Sequence, residues 1–240
     1  MAVLVTLYVV AVGLMYFYQE KAIKKGSAHV SAHLQSTAKT QAEALNVALA
    51  GKQENLESFA TVFEEEKELE IPKIIKYLNR AKDLSHVSCM GFADAQGNAY
   101  LNDGSHFKID DKEYFKKSIK GERAIEEIQN NKHSGIPVIL ISVPIKSERE
   151  VKGILFGIYA EGHFQSLLRP NYFNKEGYSF ICNDVGDIII TSKGLSFLTH
   201  ERRNISYLLK SERLDKKLDA EQILLNIKSS APGVFSYNIG

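Results

Sequence analysis

The chain has 240 residues, enough for one large or two small domains, and its 30 basic and 29 acidic side chains leave a net charge of only +1. That balance provides no electrostatic footprint for nucleic acid, and no Lys/Arg stripe interleaved with aromatics appears. With 44% hydrophobic and 25% charged residues the composition is that of an ordinary globular chain with a core. The N-terminus departs from it. Residues 2–18, "AVLVTLYVVAVGLMYFY", carry no charge and fall just within the length of a bilayer-spanning helix. Tyr16, Phe17 and Tyr18 stand where an interfacial aromatic belt would lie, and "QEKAIKK" follows. A cleaved signal peptide would want a basic start, a shorter apolar core and a small-residue cleavage site. Only Met1 precedes the run, so residues 1–20 are expected to remain as an anchor. Lys21, Lys24 and Lys25 follow the span, which on the charge rule alone would place the rest of the chain in the cytoplasm.

Residues 22–84 predict two helices. Leu34, Ala38, Ala42, Leu45, Leu49, Leu56, Phe59 and Phe63 recur at steps of three, four or seven, which is one apolar stripe on a long helix. About 45 helical residues would reach roughly 65 Å, the length of a whole domain. Pro72 opens a second, shorter helix, "PKIIKYLNRAKDL", because proline is tolerated in a first turn.

From residue 86 the period changes to that of strands. "HVSCMGFAD", the turn "AQGN" and "AYLND" give a hairpin signal. A short helix, "DDKEYFKKSIKG", follows. "RAIEEIQ", "PVILISVPIK" and "VKGILFGIYA" then read as three more strands, separated by the turns "NNKHSG" and "SEREVKG". Five strands with helices leading in predict an antiparallel sheet in an α+β domain over residues 86–170. The pattern partly repeats over 171–240. "GYSFICND", "VGD" and "IIITS" echo the first hairpin, a helical stretch runs over about 204–228, and "GVFSYNIG" reads as a strand. This second sheet has two or three strands, so further strands are expected beyond residue 240.

Little in the chain suggests catalysis. His29 and His33 share a helix face, but the glutamate of an HExxH site is absent, and a solvated face accounts for the pair. "GDIIITSKG" lacks the P-loop spacing, and no G-x-S-x-G or Cys-His arrangement is present. Cys89 and Cys182 each lie inside a strand-like run and read as two separate buried thiols. No enzyme activity, metal or cofactor is expected of these residues.

Taken together, "GFADAQGNAYLND", "DDKEYFKKSIKG", "PVILISVPI" with "GILFGIY", and "GYSFICNDVGDIIITS" resemble the double Cache (dCache) sensor domains of bacterial transmembrane receptors. The resemblance covers residues 20–240 and implies two PAS-like antiparallel modules behind a long helix, with the second module incomplete here. It implies an extracytoplasmic location, a homodimer through the helices and a cytoplasmic output. A diguanylate cyclase is expected first, and a histidine kinase or chemoreceptor is the alternative. An anchored surface enzyme is a rival from another class.

In that family the membrane-distal module holds a small ligand under a short helix, an arginine meets a ligand carboxylate, and an aromatic pair forms the lid. Lys112 takes the arginine-like place, Tyr114 and Phe115 the aromatic pair, and Phe107 a place where amino-acid binders carry tyrosine. Tyr159 stands near the place of the acid that anchors a ligand amine, among Ile158 and Ala160, and no acid occurs before Glu161. Lysine offers a point charge and not the bidentate fork of arginine. The resemblance therefore implies Phe107, Lys112, Tyr114, Phe115 and Tyr159 as ligand-binding residues. The ligand expected is an organic anion or an amino-acid-like metabolite. Plain packing of the aromatics on the sheet, with Lys112 a solvated charge, is the competing reading.

Overall fold

The computed structural model describes residues 2–65, 70–128, 138–147, 150–168, 179–183, 185–192 and 203–210, with Leu225 and Ser229. Side chains are described for these residues except 2–28, 65 and 208–210. A single helix, α1, runs from Ala2 to Glu65, and α2 from Ile71 to Ser85. Six strands follow: β1 (Cys89–Asp94), β2 (Asn98–Leu101), β3 (His106–Lys108), β4 (Ala124–Ile128), β5 (Val138–Lys146) and β6 (Val151–Ala160). The short helix α3 (Glu113–Ser118) lies between β3 and β4. Two 3-10 turns, Glu161–His163 and Gln165–Leu167, follow β6. Then come β7 (Phe180–Cys182), β8 (Ile188–Thr191) and α4 (Ile205–Lys210).

The six strands form one antiparallel sheet in the order β3-β2-β1-β6-β5-β4. Helices cover both of its faces. On one side α1 lies across β5 and β6, and α2 lies on β1 and β2. Leu56, Ala60 and Phe63 of α1 and Ile74, Leu78 and Ala81 of α2 pack there on Met90, Phe92, Ile141, Val143 and Leu155. Phe63 stacks on Phe92 with centroids 5.3 Å apart and meets Tyr77 edge-on at 5.0 Å. The Tyr77 hydroxyl donates to the Phe59 carbonyl at 2.8 Å, joining the helices. Each fully buried side chain of this kind contributes roughly 1.5–3 kcal/mol of transfer free energy. Lys152 donates to the Glu64 carbonyl at 2.7 Å, satisfying one of the orphan acceptors that a helix end leaves. The Arg123 fork closes on Glu57 at 2.8 and 2.6 Å, pinning the entry of β4 to α1.

The second sheet is the antiparallel pair β7-β8. Ile190 of β8 joins the core beneath α1. Both cysteines are free and half-buried.

Several expectations need adjustment. The long helix begins before the expected residue 22 and is continuous from Ala2 to Glu65. Among the described residues no helix is long and apolar enough to cross a membrane. The run 2–18, on which the anchor expectation rests, belongs to the part of α1 whose side chains lie outside the described residues. The first sheet has six strands and not five. The extra one, β3, is a three-residue edge strand with all positions exposed, too short to show alternation. The turn "NNKHSG", part of "SEREVKG", the helical stretch after residue 210 apart from Leu225 and Ser229, and the strand "GVFSYNIG" lie outside the described residues.

Candidate functional site

Helix α3 lies on the opposite face of the first sheet from α1. Its sequence explains its attachment. Lys112 is extended (φ −78°, ψ 139°) and precedes the first helical residue without a capping side chain of its own. The cap comes from a neighbour: the Tyr114 N–H donates to Glu126 Oε2 of β4 at 3.0 Å. This satisfies one of the donors that a helix start leaves open. Consecutive residues on so short a helix would normally diverge, yet Tyr114 and Phe115 are both 5% exposed. They are wedged between α3 and the sheet.

Beneath them the antiparallel register sets out the floor. Leu101, Gly91, Phe156, Ser142 and Ala124 lie side by side across β2, β1, β6, β5 and β4. Cys89, Ile158, Leu140 and Glu126 form the next row. Directly opposed residues share a face, so both rows look toward α3. A β-carbon on Gly91 would overlap the Phe156 ring and lie 2.8 Å from Leu101 Cδ2, so only glycine leaves room for that ring. The Tyr114 and Phe156 rings are 6.0 Å apart at 52°. In this apolar setting Ser118 and Ser142, both wholly buried, share a hydrogen bond of 2.8 Å between hydroxyls. The Tyr114 carbonyl lies 3.5 Å from the Ser142 hydroxyl. Burial, and then the nearby Glu126 and Asp111 carboxylates, push the Tyr114 phenol well above its ordinary range, so it stays protonated. The arrangement is an apolar clamp with two buried hydroxyls and a carboxylate at the margin.

The five residues implied by the resemblance are not brought together. Tyr114 and Phe115 are in the clamp. Phe107 shares its face through the Ala99 and Ala93 rows, but at the outer edge of β3, where it is 44% exposed. Lys112 is solvent-exposed at the start of α3, its ammonium 2.8 Å from Asp111, and that hydrogen bond raises its pKa. Tyr159 is on the other face. Strand alternation turns it toward α1, where it is fully buried against Phe164, with the exposed His163 ring edge-on at 5.8 Å and the Lys52 ammonium 5.2 Å over its ring. Burial pushes its phenol up to about 12, and its hydroxyl has no hydrogen-bond partner among the described residues. The whole thickness of the sheet separates it from Tyr114, which removes it from any site under α3.

Gly91, Glu126, Ser142 and Phe156 belong to the clamp, and the sequence reading did not single them out. Ser142 carried a signal, as a lone hydroxyl inside "VILISVPI". Among the described residues, no group of three or more His, Cys, Asp or Glu could hold a metal ion.

No family description matches the chain, and no curated protein matches it in sequence. Solved structures do match. The sensory domain of the Campylobacter jejuni chemoreceptor Tlp3 aligns over 88% of this chain and 85% of its own, at 12% identity and a TM-score of 0.63. The ligand-binding domain of the Pseudomonas aeruginosa amino acid chemoreceptor PctC, in complex with GABA, aligns over 67% and 74% at 15% identity, with a TM-score of 0.57. That of the Pseudomonas fluorescens chemoreceptor CtaA, in complex with L-alanine, aligns over 67% and 71% at 16% identity, with a TM-score of 0.55. The chain shares the fold of these sensory domains. The expected mixed architecture, a long N-terminal helix leading to antiparallel sheets, is therefore the observed one. At such identities the likeness concerns the fold and not the ligand.

Proposed function

We propose that the chain is the extracytoplasmic small-molecule sensing domain of a membrane-bound bacterial receptor, anchored through residues 2–18. The observation that carries this reading is the clamp, in which Tyr114 and Phe115 of a short helix close over the first sheet of a chemoreceptor sensory fold. Among the outputs expected, diguanylate cyclase, histidine kinase and chemoreceptor, the chemoreceptor has the best support, because the neighbours in fold are chemoreceptor domains. The ligand class is an amino-acid-like metabolite or an organic anion, in keeping with the isoleucine, GABA and L-alanine named for the neighbours. Lys112 supplies the positive charge at the mouth. Its pair with Asp111 is solvent-exposed, and such pairs hold so weakly that the ammonium is free to turn to a ligand carboxylate. Phe107 borders the same mouth, and the membrane-distal module spans 86–170.

The test is a thermal-shift panel of amino acids, GABA and small organic acids on the whole chain, followed by calorimetry on each hit. A hit whose affinity falls with Tyr114→Ala supports the clamp as the site. A hit indifferent to both Tyr114 and Phe115 would place the ligand elsewhere, and a panel without any hit would remove this ligand class.

A further inference from the structure

The two sheets are joined by a buried charge network that the sensing proposal does not use. Strand β6 runs directly into the 3-10 turn that begins at Glu161. Glu161 is only 8% exposed. Its Oε1 accepts from both the Thr191 N–H and the Thr191 hydroxyl, each at 2.6 Å. Its Oε2 meets the Arg203 guanidinium at 3.0 Å. Arg203 in turn donates from Nε to the Ile188 carbonyl and from Nη2 to the Ile189 carbonyl, both at 3.1 Å. All three guanidinium nitrogens are engaged. One carboxylate thus ties the end of β6 to β8 and to the residue leading toward α4.

We propose that Glu161 and Arg203 form the mechanical joint through which a displacement of β6 is passed to the β7-β8 unit. Three features support it. Strand β6 lies under the clamp: Phe156 and Ile158 look toward α3 only five and three residues before Glu161, roughly 16 and 10 Å along an extended strand. The network is directional, because a bidentate acceptor and a guanidinium fork tolerate little sliding. It is also all-or-none. Parting a buried carboxylate from a buried guanidinium leaves both charges uncompensated, so the partners move together. Ile190 adds an apolar attachment beside the joint, so loss of the ion pair loosens the second sheet and does not release it. The joint needs no ligand, and the proposal stands whatever the thermal-shift panel finds.

The experiment perturbs β6 and reads β8 in the whole chain. Phe156→Leu shifts the packing of β6 under α3, and amide resonances report the response at Ile190 and Thr191. In the otherwise unaltered chain the Thr191 amide should move with Phe156→Leu. In a Glu161→Gln background that response should be lost, and hydrogen exchange should quicken at 188–191 while the amides of Met90 and Leu155 keep their protection. If Glu161→Gln does not fold, Arg203→Lys, which keeps the charge and loses the fork, should weaken the same response. Thr191→Val, which removes only the hydroxyl contact, should weaken it least. A Thr191 amide that ignores Phe156→Leu, one that still responds fully without the carboxylate, or exchange that quickens equally in both sheets would overturn the proposal.

Discussion

Phe156 lies across Gly91 on the floor beneath α3, with the Tyr114 ring above it at 6.0 Å. The clamp is therefore a packed stack as well as a proposed ligand seat, and side chains in it should affect stability before any ligand is added. Tyr114→Ala removes the ring of a residue that is only 5% exposed and should cost about 3–5 kcal/mol in urea denaturation, the range for truncating a buried aromatic. Tyr114→Phe keeps the ring and should cost under about 1 kcal/mol. Equal losses for the two would mean that the hydroxyl, not the ring, holds α3 down.

Gly91→Ala tests the floor. The added methyl would overlap the Phe156 ring, and Leu101 leaves it no other direction. A loss of about 1–3 kcal/mol is expected, typical of overpacking in a close-packed core. The smaller side chain in Phe156→Leu should restore part of that loss in the double variant. Additive losses would show that Gly91 is needed for its backbone and not for the room it leaves.

Lys112→Ala separates binding from folding. The side chain is about half exposed and, among the described residues, forms its ion pair with the neighbouring Asp111, so the urea midpoint should not change measurably. If the ammonium meets a ligand carboxylate, affinity for the hit should fall about 10- to 100-fold, as expected for a charge-assisted hydrogen bond. Calorimetry with the hit from the panel reads both quantities. Unchanged affinity would leave Lys112 as a solvated charge at a helix start.

The fold was more legible in the sequence than the site. The stripe Leu45, Leu49, Leu56, Phe59 and Phe63 does face the first core. Leu34 belongs to the same stripe but is 40% exposed, because it lies toward the N-terminal end of α1, before the residues that pack on the sheet. Tyr159 shows the harder limit. Both faces of β6 are buried, so "GILFGIYA" is apolar throughout and its composition does not say which residues look toward which helix. Parity becomes readable only once Phe156 is known to lie under Tyr114. Glu161 and Arg203, 42 positions apart, follow no local pattern that would pair them, and only the tertiary contact of the 3-10 turn after β6 with the β7-β8 unit brings them together.

The two thiols should be slow to react. Burial, followed by the nearby Asp103 carboxylate, pushes Cys89 up to about 11, and burial raises Cys182 as well. The thiolate is the reactive form, so iodoacetamide at pH 8 should leave both unmodified for as long as the chain is folded, and urea should release them together. Rapid labelling of Cys89 in the folded chain would show that β1 opens locally.

Acid should act first on the joint between the sheets. Burial alone would raise the Glu161 carboxyl, but the hydrogen bonds from Arg203 and Thr191 outweigh it and hold the group below the ordinary carboxylate range. A carboxyl whose folded value is depressed lends stability that is fully present above its unfolded value. That stability is lost as the pH falls through the lowered folded value. Protonation also leaves the Arg203 charge buried without its counter-charge, while β1, β5 and β6 are held by backbone pairing and apolar contacts that do not titrate. Hydrogen exchange followed from neutral to acid pH should therefore show the amides of Ile190 and Thr191 losing protection before those of Met90 and Leu155. In Glu161→Gln the 190–191 amides should start less protected and change far less with pH over the same range. Parallel acid profiles in the two proteins would show that another carboxylate, and not Glu161, sets the acid sensitivity of the second sheet.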